Sequence, residues 1–97
     1  MSKTDFEWHE AKNNENLEKH GIAFEDAVYA FYDKSRLIAL DDKNSTELEH
    51  RYFCFGKDRN GNGVLTVRFT YRDKKIRIYG AGYWRKGKKL YDQRNNL

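Results

Sequence analysis

Two runs of alternating apolar and polar residues, joined by a short polar turn, constrain the fold of this chain more than any other feature of its sequence. Side chains along a β-strand point to opposite faces in turn. In the first run, the residues that share the apolar face are Leu65, Val67, Phe69 and Tyr71. In the second run, the apolar face has Ile76 and Ile78, and the opposite face has Arg77, Tyr79 and Ala81. Pairing the two runs around the turn at 72–74 predicts a buried aliphatic face and an open face that bears Arg68, Arg77 and Tyr79.

The chain continues from this pair into a segment rich in cations and aromatic rings, YWRKGKKLY at 83–91. Residues 1–67 carry 9 Lys and Arg against 13 Asp and Glu, whereas residues 68–97 carry 10 against 2. Such a separation of charge produces a strong local field and favours a polyanionic partner. A solvated surface is the simpler alternative, but it gives no reason for the interleaved Tyr79, Tyr83, Trp84 and Tyr91. We therefore expect a phosphate-rich ligand, with RNA as the leading hypothesis.

Length and composition predict a single domain over residues 1–97. The one cysteine, Cys54, cannot form an internal disulfide, so we interpret it as a small core residue of a protein in the reducing cytoplasm. No apolar run approaches the roughly 20 residues of a membrane span, and residues 1–10 lack the pattern of a secretory leader. No spacing among His, Cys, Asp and Glu is typical of a metal site, so we expect neither metal nor cofactor.

The remaining elements follow from periodicity and turn signals. A helix is predicted over 10–20, with Gly21 as its left-handed stop. A second is predicted from Phe24 to near Asp33, where apolar residues recur at the spacing of one helix face. Short strands are predicted at 6–8, 37–40 and 51–56, an acidic loop at 41–49, and a short terminal helix at 90–94. This order predicts an α+β fold in which two N-terminal helices pack on one face of a small antiparallel sheet. The other sheet face is free to carry a site.

The N-terminal half carries a motif of higher specificity. It reads Phe6-x-Trp8, Lys12 and Asn16, followed by Lys19-His20-Gly21-x-x-Phe24-Glu25-x-Ala27. Matching positions continue through Arg51, Gly56, Phe69-Thr70, Ile76-Arg77-Ile78 and Tyr91. In these residues the chain resembles the BrnT family of bacterial toxins from Phe6 to Tyr91.

The resemblance implies a RelE-like fold and the toxin component of a type II toxin–antitoxin system. Such a toxin is a metal-independent endoribonuclease that cleaves RNA and inhibits translation: a 2′-hydroxyl attacks the neighbouring phosphate while basic side chains stabilise the transition state. The implied partner is a ribbon-helix-helix antitoxin of the BrnA type, in a hetero-oligomer that reaches promoter DNA only through the antitoxin.

The chain departs from the family after the last strand. Members usually carry Ser-Ala-Arg there, whereas this chain has Gly80-Ala81-Gly82 and therefore lacks the arginine at position 82. Arg85 or Lys86 can reach the same phosphate from another backbone position, or this branch has lost or altered its nuclease activity. The alternatives to a nuclease are a non-catalytic nucleic-acid-binding or regulatory module and a plain interaction protein with an acidic partner.

Several side chains are candidates for the chemistry. Guanidinium groups match phosphate oxygens in a bidentate manner and imidazole transfers protons near neutral pH. The catalytic candidates are Arg68, Arg77, His20, Arg85 and Tyr91. The RNA-binding candidates are Lys12, Tyr79, Tyr83, Trp84, Lys86, Lys88 and Lys89. Each has a structural alternative: arginines that solvate an open sheet face, a histidine that ends a helix, solvated lysines, and aromatic rings that pack.

Overall fold

The computed structural model describes residues 5–97. These residues form short helices and the five strands of one sheet. In chain order the elements are β1 (Phe6–Trp8), α1 (Glu10–His20), α2 (Phe24–Ala27), a 3-10 helix (Val28–Tyr32), β2 (Leu37–Leu40), a second 3-10 helix (Asp42–Asn44), β3 (Arg51–Lys57), β4 (Val64–Arg72), β5 (Lys75–Gly82) and α3 (Arg85–Arg94). The predicted α+β class is confirmed. The fold differs from the prediction in four respects: the sheet, the second helix, the position of α1 and the extent of α3.

The five strands form one sheet in the order β1-β5-β4-β3-β2. Neighbours from β2 to β5 are antiparallel, but β1 runs parallel to β5, with Phe6 opposite Ile76 and Trp8 opposite Ile78. The prediction of a purely antiparallel sheet was therefore wrong. Parallel neighbours need a long connection between them, and here that connection is most of the chain. The three residues of β1 contain no signal for so distant a partner.

One face of the sheet packs against α2 and the first 3-10 helix. Twelve buried side chains form this core: Ile22, Phe24, Ala27, Ala30, Phe31, Cys54, Leu65, Val67, Phe69, Ile76, Ile78 and Ala81. Cys54 is a core residue, and burial raises the pKa of its thiol to about 12. The segment predicted as the second helix is α-helical only to Ala27 and continues as a 3-10 helix from Val28. The backbone of this 3-10 helix packs directly on β3. A Cβ at Gly56 would stand only 2.2 Å from the carbonyl oxygen of Ala30.

A β-bulge at Tyr79 changes the faces of β5. Phe69 pairs with Ile78, but Arg68 pairs with Gly80, so β5 has one residue more than β4 at this point. A bulge of this kind shifts the alternation of side chains by one position. Ala81 therefore lies in the core beside Val67, not on the open face where simple alternation placed it.

Helix α3 covers part of the opposite sheet face. Tyr91 and Leu90 pack with Phe55 and Val64, which point away from the first core. The helix begins at Arg85 rather than at residue 90, and Gly87 is buried in its contact with β3 and β4. A Cβ at Gly87 would meet Thr66 Oγ1 at 2.2 Å and the Phe55 ring at 2.8 Å. The glycine that weakens the sequence signal for this helix is thus the residue that lets it dock.

Helix α1 does not pack on a sheet face with an apolar stripe. It contributes no residue to either hydrophobic core, and its buried residues are Asn13 and Asn16. Leu17 is half exposed. The prediction that two N-terminal helices cover one face is therefore corrected: α2 and the 3-10 helix cover that face, and α1 attaches through polar contacts. The predicted stop at Gly21 is confirmed, with φ of 70° and its N–H bonded to the carbonyl of Leu17.

Candidate nucleic-acid interface

A cavity of about 360 Å³ lies between α1, the end of β5 and the segment that leads into α3. We call it the cationic cavity, after Lys12, Lys19 and Arg68 in its lining, which also includes His20 and Glu15. Glu15 pairs with Lys19 at 3.3 Å on the exposed side of α1. Its volume is within the range of small-molecule sites. Thr66, Gly80 and Gly82 of the sheet also line it, as do Tyr79, Tyr83 and Trp84. Six of the twelve predicted site residues meet here: Lys12, His20, Arg68, Tyr79, Tyr83 and Trp84.

Two buried asparagines hold α1 at the edge of the sheet. Strand β1 pairs with β5 only as far as Ile78, so the edge of β5 is open beyond it. The Asn16 carboxamide accepts from the Ala81 N–H at 3.1 Å and donates to the Ala81 carbonyl at 2.9 Å, as a neighbouring strand would. Asn13 accepts from the backbone N–H of Phe24 at 2.7 Å. These bonds fix α1 so that Lys12, Lys19 and His20 line the cavity.

Sequence reasoning named Asn16 only through the family resemblance and did not single out Asn13. A signal was available in the sequence. Two asparagines stand three residues apart on a helix that has almost no apolar residues. Since buried polar groups are normally hydrogen-bonded, an asparagine stripe in place of an apolar stripe predicts docking against exposed backbone.

Arg68 is the sheet arginine that faces the cavity. It is exposed, and it stands opposite Gly80, where a Cβ would touch the Arg68 side chain at 3.4 Å. No ion pair joins Arg68 to a carboxylate within residues 5–97. Its guanidinium is therefore available for an external anion.

Arg77 shares the sheet face of Arg68 but does not line the cavity. Its Nη1 forms an ion pair with Glu7 Oε2 at 2.9 Å, on the neighbouring strand β1. Both side chains are mostly buried, with 29% and 28% of their surfaces exposed. An arginine already paired in this way carries less positive potential toward solvent than Arg68 does.

Trp84 and Tyr83 form an aromatic wall of the cavity. The Trp84 ring packs on Phe53 at 5.6 Å between centroids, and Lys86 Nζ lies 5.7 Å from the Trp84 centroid. The Tyr83 hydroxyl donates to Asp58 Oδ2 at 2.8 Å, which fixes the ring. Burial and this bond raise the pKa of Tyr83, so the hydroxyl keeps its proton. Tyr83 is 61% exposed and Trp84 42%, so both rings offer some free surface for stacking.

Arg51 extends the cationic surface across the sheet. It stands opposite Thr70 at the start of β3, and its guanidinium carbon lies 4.7 Å from the centroid of the Tyr79 ring. Glu49 accepts from Arg51 Nε at 2.9 Å. Burial raises the pKa of Tyr79. Sequence reasoning did not choose Arg51 as a site residue, although its alternation with Phe53 and Phe55 places it on the same face.

The other six predicted site residues lie outside the cavity. Tyr91 is buried, and its hydroxyl donates to Asp33 Oδ2 at 2.6 Å. Burial and this bond raise the pKa of Tyr91 to about 12. Lys88 is paired with Asp92 at 2.6 Å along the exposed side of α3. Arg77 is paired with Glu7. The remaining three, Arg85, Lys86 and Lys89, belong to α3.

Gly82 marks the position at which the family resemblance predicts an arginine. It lines the cationic cavity, and a Cβ there would lie 3.9 Å from the imidazole of His20. An arginine at 82 would therefore project into the cavity beside His20. Its absence leaves Arg68 and the lysines of α1 as the basic side chains that line this cavity.

The chain is thus a small α+β domain that has a mixed five-stranded sheet and a cavity lined by basic and aromatic side chains at one sheet edge. The chain matches over residues 8–87 the family described as ribonuclease toxin, BrnT, of type II toxin–antitoxin systems, and it belongs to that family. The resemblance is thus confirmed. Membership implies an RNA substrate and an antitoxin partner.

Among solved structures, the chain is similar to the Brucella abortus ribonuclease toxin BrnT, determined at 1.1 Å resolution. The TM-score is 0.64 and the sequence identity 22%, over 84% of this chain and 97% of that chain. This likeness concerns the fold. No curated protein sequence matches the chain.

The described residues, 5–97, bear on metals and membranes as follows. No group of three or more His, Cys, Asp and Glu is placed to hold a metal ion within that range. None of its helices has the length and apolar content needed to cross a membrane.

Proposed function

We propose that this chain is a metal-independent endoribonuclease that acts as the toxin of a type II toxin–antitoxin pair and inhibits translation by cleaving RNA. One observation carries the proposal: Lys12, Lys19, His20 and Arg68 line one cavity with two exposed aromatic rings. Cations and a proton-transfer group next to a stacking surface are the parts that RNA cleavage by an internal 2′-hydroxyl requires. The proposal also rests on the family to which the chain belongs.

In the proposed reaction, the scissile phosphate binds Arg68, with Lys12 and Lys19 close to its oxygens. Neutral His20 takes the proton of the 2′-hydroxyl, and O2′ attacks phosphorus. The bond to O5′, which lies opposite O2′ in this in-line displacement, breaks, and O5′ takes a proton from water while the imidazolium of His20 gives its proton back to solvent. The products are a 2′,3′-cyclic phosphate and a 5′-hydroxyl. Because the nucleophile belongs to the substrate and side chains supply the positive charge, the reaction needs no metal.

The test is cleavage of labelled RNA in the presence of EDTA. We expect cleavage with 2′,3′-cyclic phosphate ends by the wild type and a loss of at least ~100-fold for His20→Gln, the lower end of the usual contribution of general acid–base catalysis. His50→Gln, an exposed histidine outside the cavity, is the matched control and retains wild-type activity. Cleavage by His20→Gln at the wild-type rate, or cleavage that EDTA abolishes, contradicts the mechanism. Inhibition of a cell-free translation system by the wild type tests the toxin role.

Gly82 favours a second candidate, a nucleic-acid-binding module that keeps the toxin fold without the reaction. With glycine at position 82, Arg68 is the one arginine among the described residues that lines the cavity. The negative charge that develops on the phosphate in the transition state is therefore balanced by fewer cations. Salt-sensitive RNA binding with no products distinguishes this candidate from the nuclease.

The proposed partner is a ribbon-helix-helix antitoxin of the BrnA type, bound in a hetero-oligomer that contacts promoter DNA through the antitoxin alone. The proposed location is the cytoplasm. Co-expression with the neighbouring reading frame, followed by co-purification and by the RNA assay, tests both the complex and the neutralisation.

A further inference from the structure

A second cavity, of about 400 Å³, lies next to Tyr83 and the end of α1. Tyr83 lines both cavities. Gly21 at the end of α1, Leu65 of β4 and the turn after β3 form other parts of the lining. A nucleotide whose phosphate lies in the cationic cavity can therefore place an adjacent base against Tyr83 in the second cavity.

Two side chains give this second cavity its hydrogen-bonding character. Asp26 and Arg59 line it, with Arg59 Nη1 at 4.0 Å from Asp26 Oδ1, too long for a hydrogen bond. Arg59 is also placed by the Tyr29 ring, whose centroid lies 5.6 Å from its guanidinium carbon. The Asp26 carboxylate accepts no hydrogen bond within residues 5–97, and both side chains are more than half exposed. The cavity thus offers a carboxylate that is ion-paired with a guanidinium at 4.0 Å but accepts no hydrogen bond within residues 5–97.

The carboxylate of Asp58, although it lines the same cavity, is not available. Its Oδ1 accepts from the N–H groups of Asn60 and Asn62, and its Oδ2 accepts from Gly63 and from the Tyr83 hydroxyl. These bonds lower the pKa of Asp58 against the opposing effect of burial, so it stays ionised and holds the turn. Asp58 therefore shapes the cavity and orients Tyr83, while Asp26 and Arg59 remain to contact a ligand.

We propose that the second cavity is a nucleobase site that prefers guanine. This proposal rests on the proposed function, in which the cationic cavity binds the phosphate. A carboxylate accepts two hydrogen bonds and a guanidinium only donates. The Watson–Crick edge of guanine presents two adjacent donors, N1–H and N2–H, beside the acceptor O6. Asp26 matches the two donors and Arg59 matches O6.

The other bases fit this pair of side chains less well. Adenine and cytosine present an unprotonated ring nitrogen to the carboxylate, and uracil presents one donor between two acceptors. Unpaired bases of single-stranded RNA are commonly read in this way, by stacking on an aromatic ring and by hydrogen bonds to the Watson–Crick edge. Tyr83 provides the ring.

The experiment has a cleavage part and a binding part, both with the full chain. Cleavage sites in random-sequence RNA are mapped by sequencing for the wild type, Asp26→Asn, Arg59→Gln and the matched control Asp42→Asn, whose carboxylate lies in the loop after β2. Binding is measured by fluorescence anisotropy with 2′-fluoro oligouridine that carries one central guanosine, inosine or adenosine. The 2′-fluoro group prevents cleavage.

We expect guanine enrichment at one position next to the cleaved bond for the wild type and for Asp42→Asn, and its loss in Asp26→Asn. Inosine lacks the 2-amino group, so it should bind the wild type about tenfold more weakly than guanosine does. The same replacement should change little for Asp26→Asn. Arg59→Gln should lower the preference for guanosine over adenosine.

Three results would overturn the inference, and they separate it from the proposed function. Cleavage without guanine enrichment refutes the nucleobase site and leaves the nuclease standing. Equal binding of guanosine and inosine by the wild type refutes the contact of Asp26 with the 2-amino group. Absence of both cleavage and binding refutes the proposed function, and the nucleobase site falls with it.

Discussion

Replacement of Gly87 by alanine tests how α3 is held on the sheet. In an exposed helix interior, Gly→Ala stabilises a protein by about 1 kcal/mol through helix propensity. Here the added Cβ would lie 2.2 Å from Thr66 Oγ1 and 2.8 Å from the ring of Phe55. Both partners are buried, at 5% and 1% exposure, and a threonine in a strand has restricted χ1 rotation. The sign of the usual effect should therefore be reversed.

The magnitude follows from the two opposing contributions. Overpacking of a well-packed region costs about 1–3 kcal/mol, and two contacts well below the van der Waals distance place this site near the upper value. Subtraction of about 1 kcal/mol of propensity leaves a loss of about 2 kcal/mol. For a domain of this size, that loss lowers Tm by roughly 8–16 °C.

Thermal unfolding and urea titration measure the effect. Gly82→Ala is the matched control, because the nearest atoms to its added Cβ are 3.9 Å away, and its Tm should stay within a few degrees of the wild type. The double variant Thr66→Ala/Gly87→Ala removes the closest contact and should recover part of the loss, a coupling between neighbours. A Gly87→Ala protein as stable as the wild type, or more stable, refutes this account of the docking.

Three other predictions concern the site and the contact that fixes the end of α3. Arg68→Ala should weaken RNA binding by at least tenfold and lower the salt dependence of binding. Arg77→Ala should lower stability more than RNA affinity, because Arg77 is paired with Glu7. Equal losses of affinity in the two variants would contradict the geometry. Gly82→Arg should fold normally and strengthen RNA binding or cleavage, since the cavity has room for the side chain; a weaker binder would count against this placement. Tyr91→Phe should lower the free energy of unfolding by about 1–2 kcal/mol at neutral pH, measured by urea titration across pH.

The pH window of the last prediction follows from the two partners. Burial opposes ionisation of Asp33, but hydrogen bonds from Tyr91 and from the backbone of Lys57 and Ser35 outweigh it and lower the pKa of Asp33 below 3.8. A lowered carboxyl pKa stabilises the fold above that value and loses the contribution as pH falls. The raised pKa of Tyr91, about 12, stabilises the fold below pH 10 and loses the contribution as pH rises toward 12. A difference between wild type and Tyr91→Phe that does not shrink in acid refutes the contact.

The candidate site was partly predictable for a specific reason. Arg68 and Trp84 were accessible to sequence reasoning because strand alternation and charge clustering act over a few residues. Sequence reasoning could not show that Arg77 is kept out of the cavity, since this depends on its ion pair with Glu7, in a strand 70 positions away in sequence. For Asn16, the asparagine stripe of α1 indicates docking against backbone, but the particular partner, Ala81, is 65 positions away in sequence and was not predictable.

The α+β class, the buried face of β4 from Leu65 to Phe69, the end of α1 at Gly21 and the family could all be read from the amino-acid sequence. These depend on local periodicity and on motifs, which the order of residues contains directly. The parallel pairing of β1 with β5, the bulge at Tyr79 that turns Ala81 into the core, and the docking of α3 through Gly87 became visible only in the folded chain, as did the exposure of Tyr71. Each of these depends on which distant segments meet and how closely, and that is set by packing of the whole chain rather than by any one stretch of it.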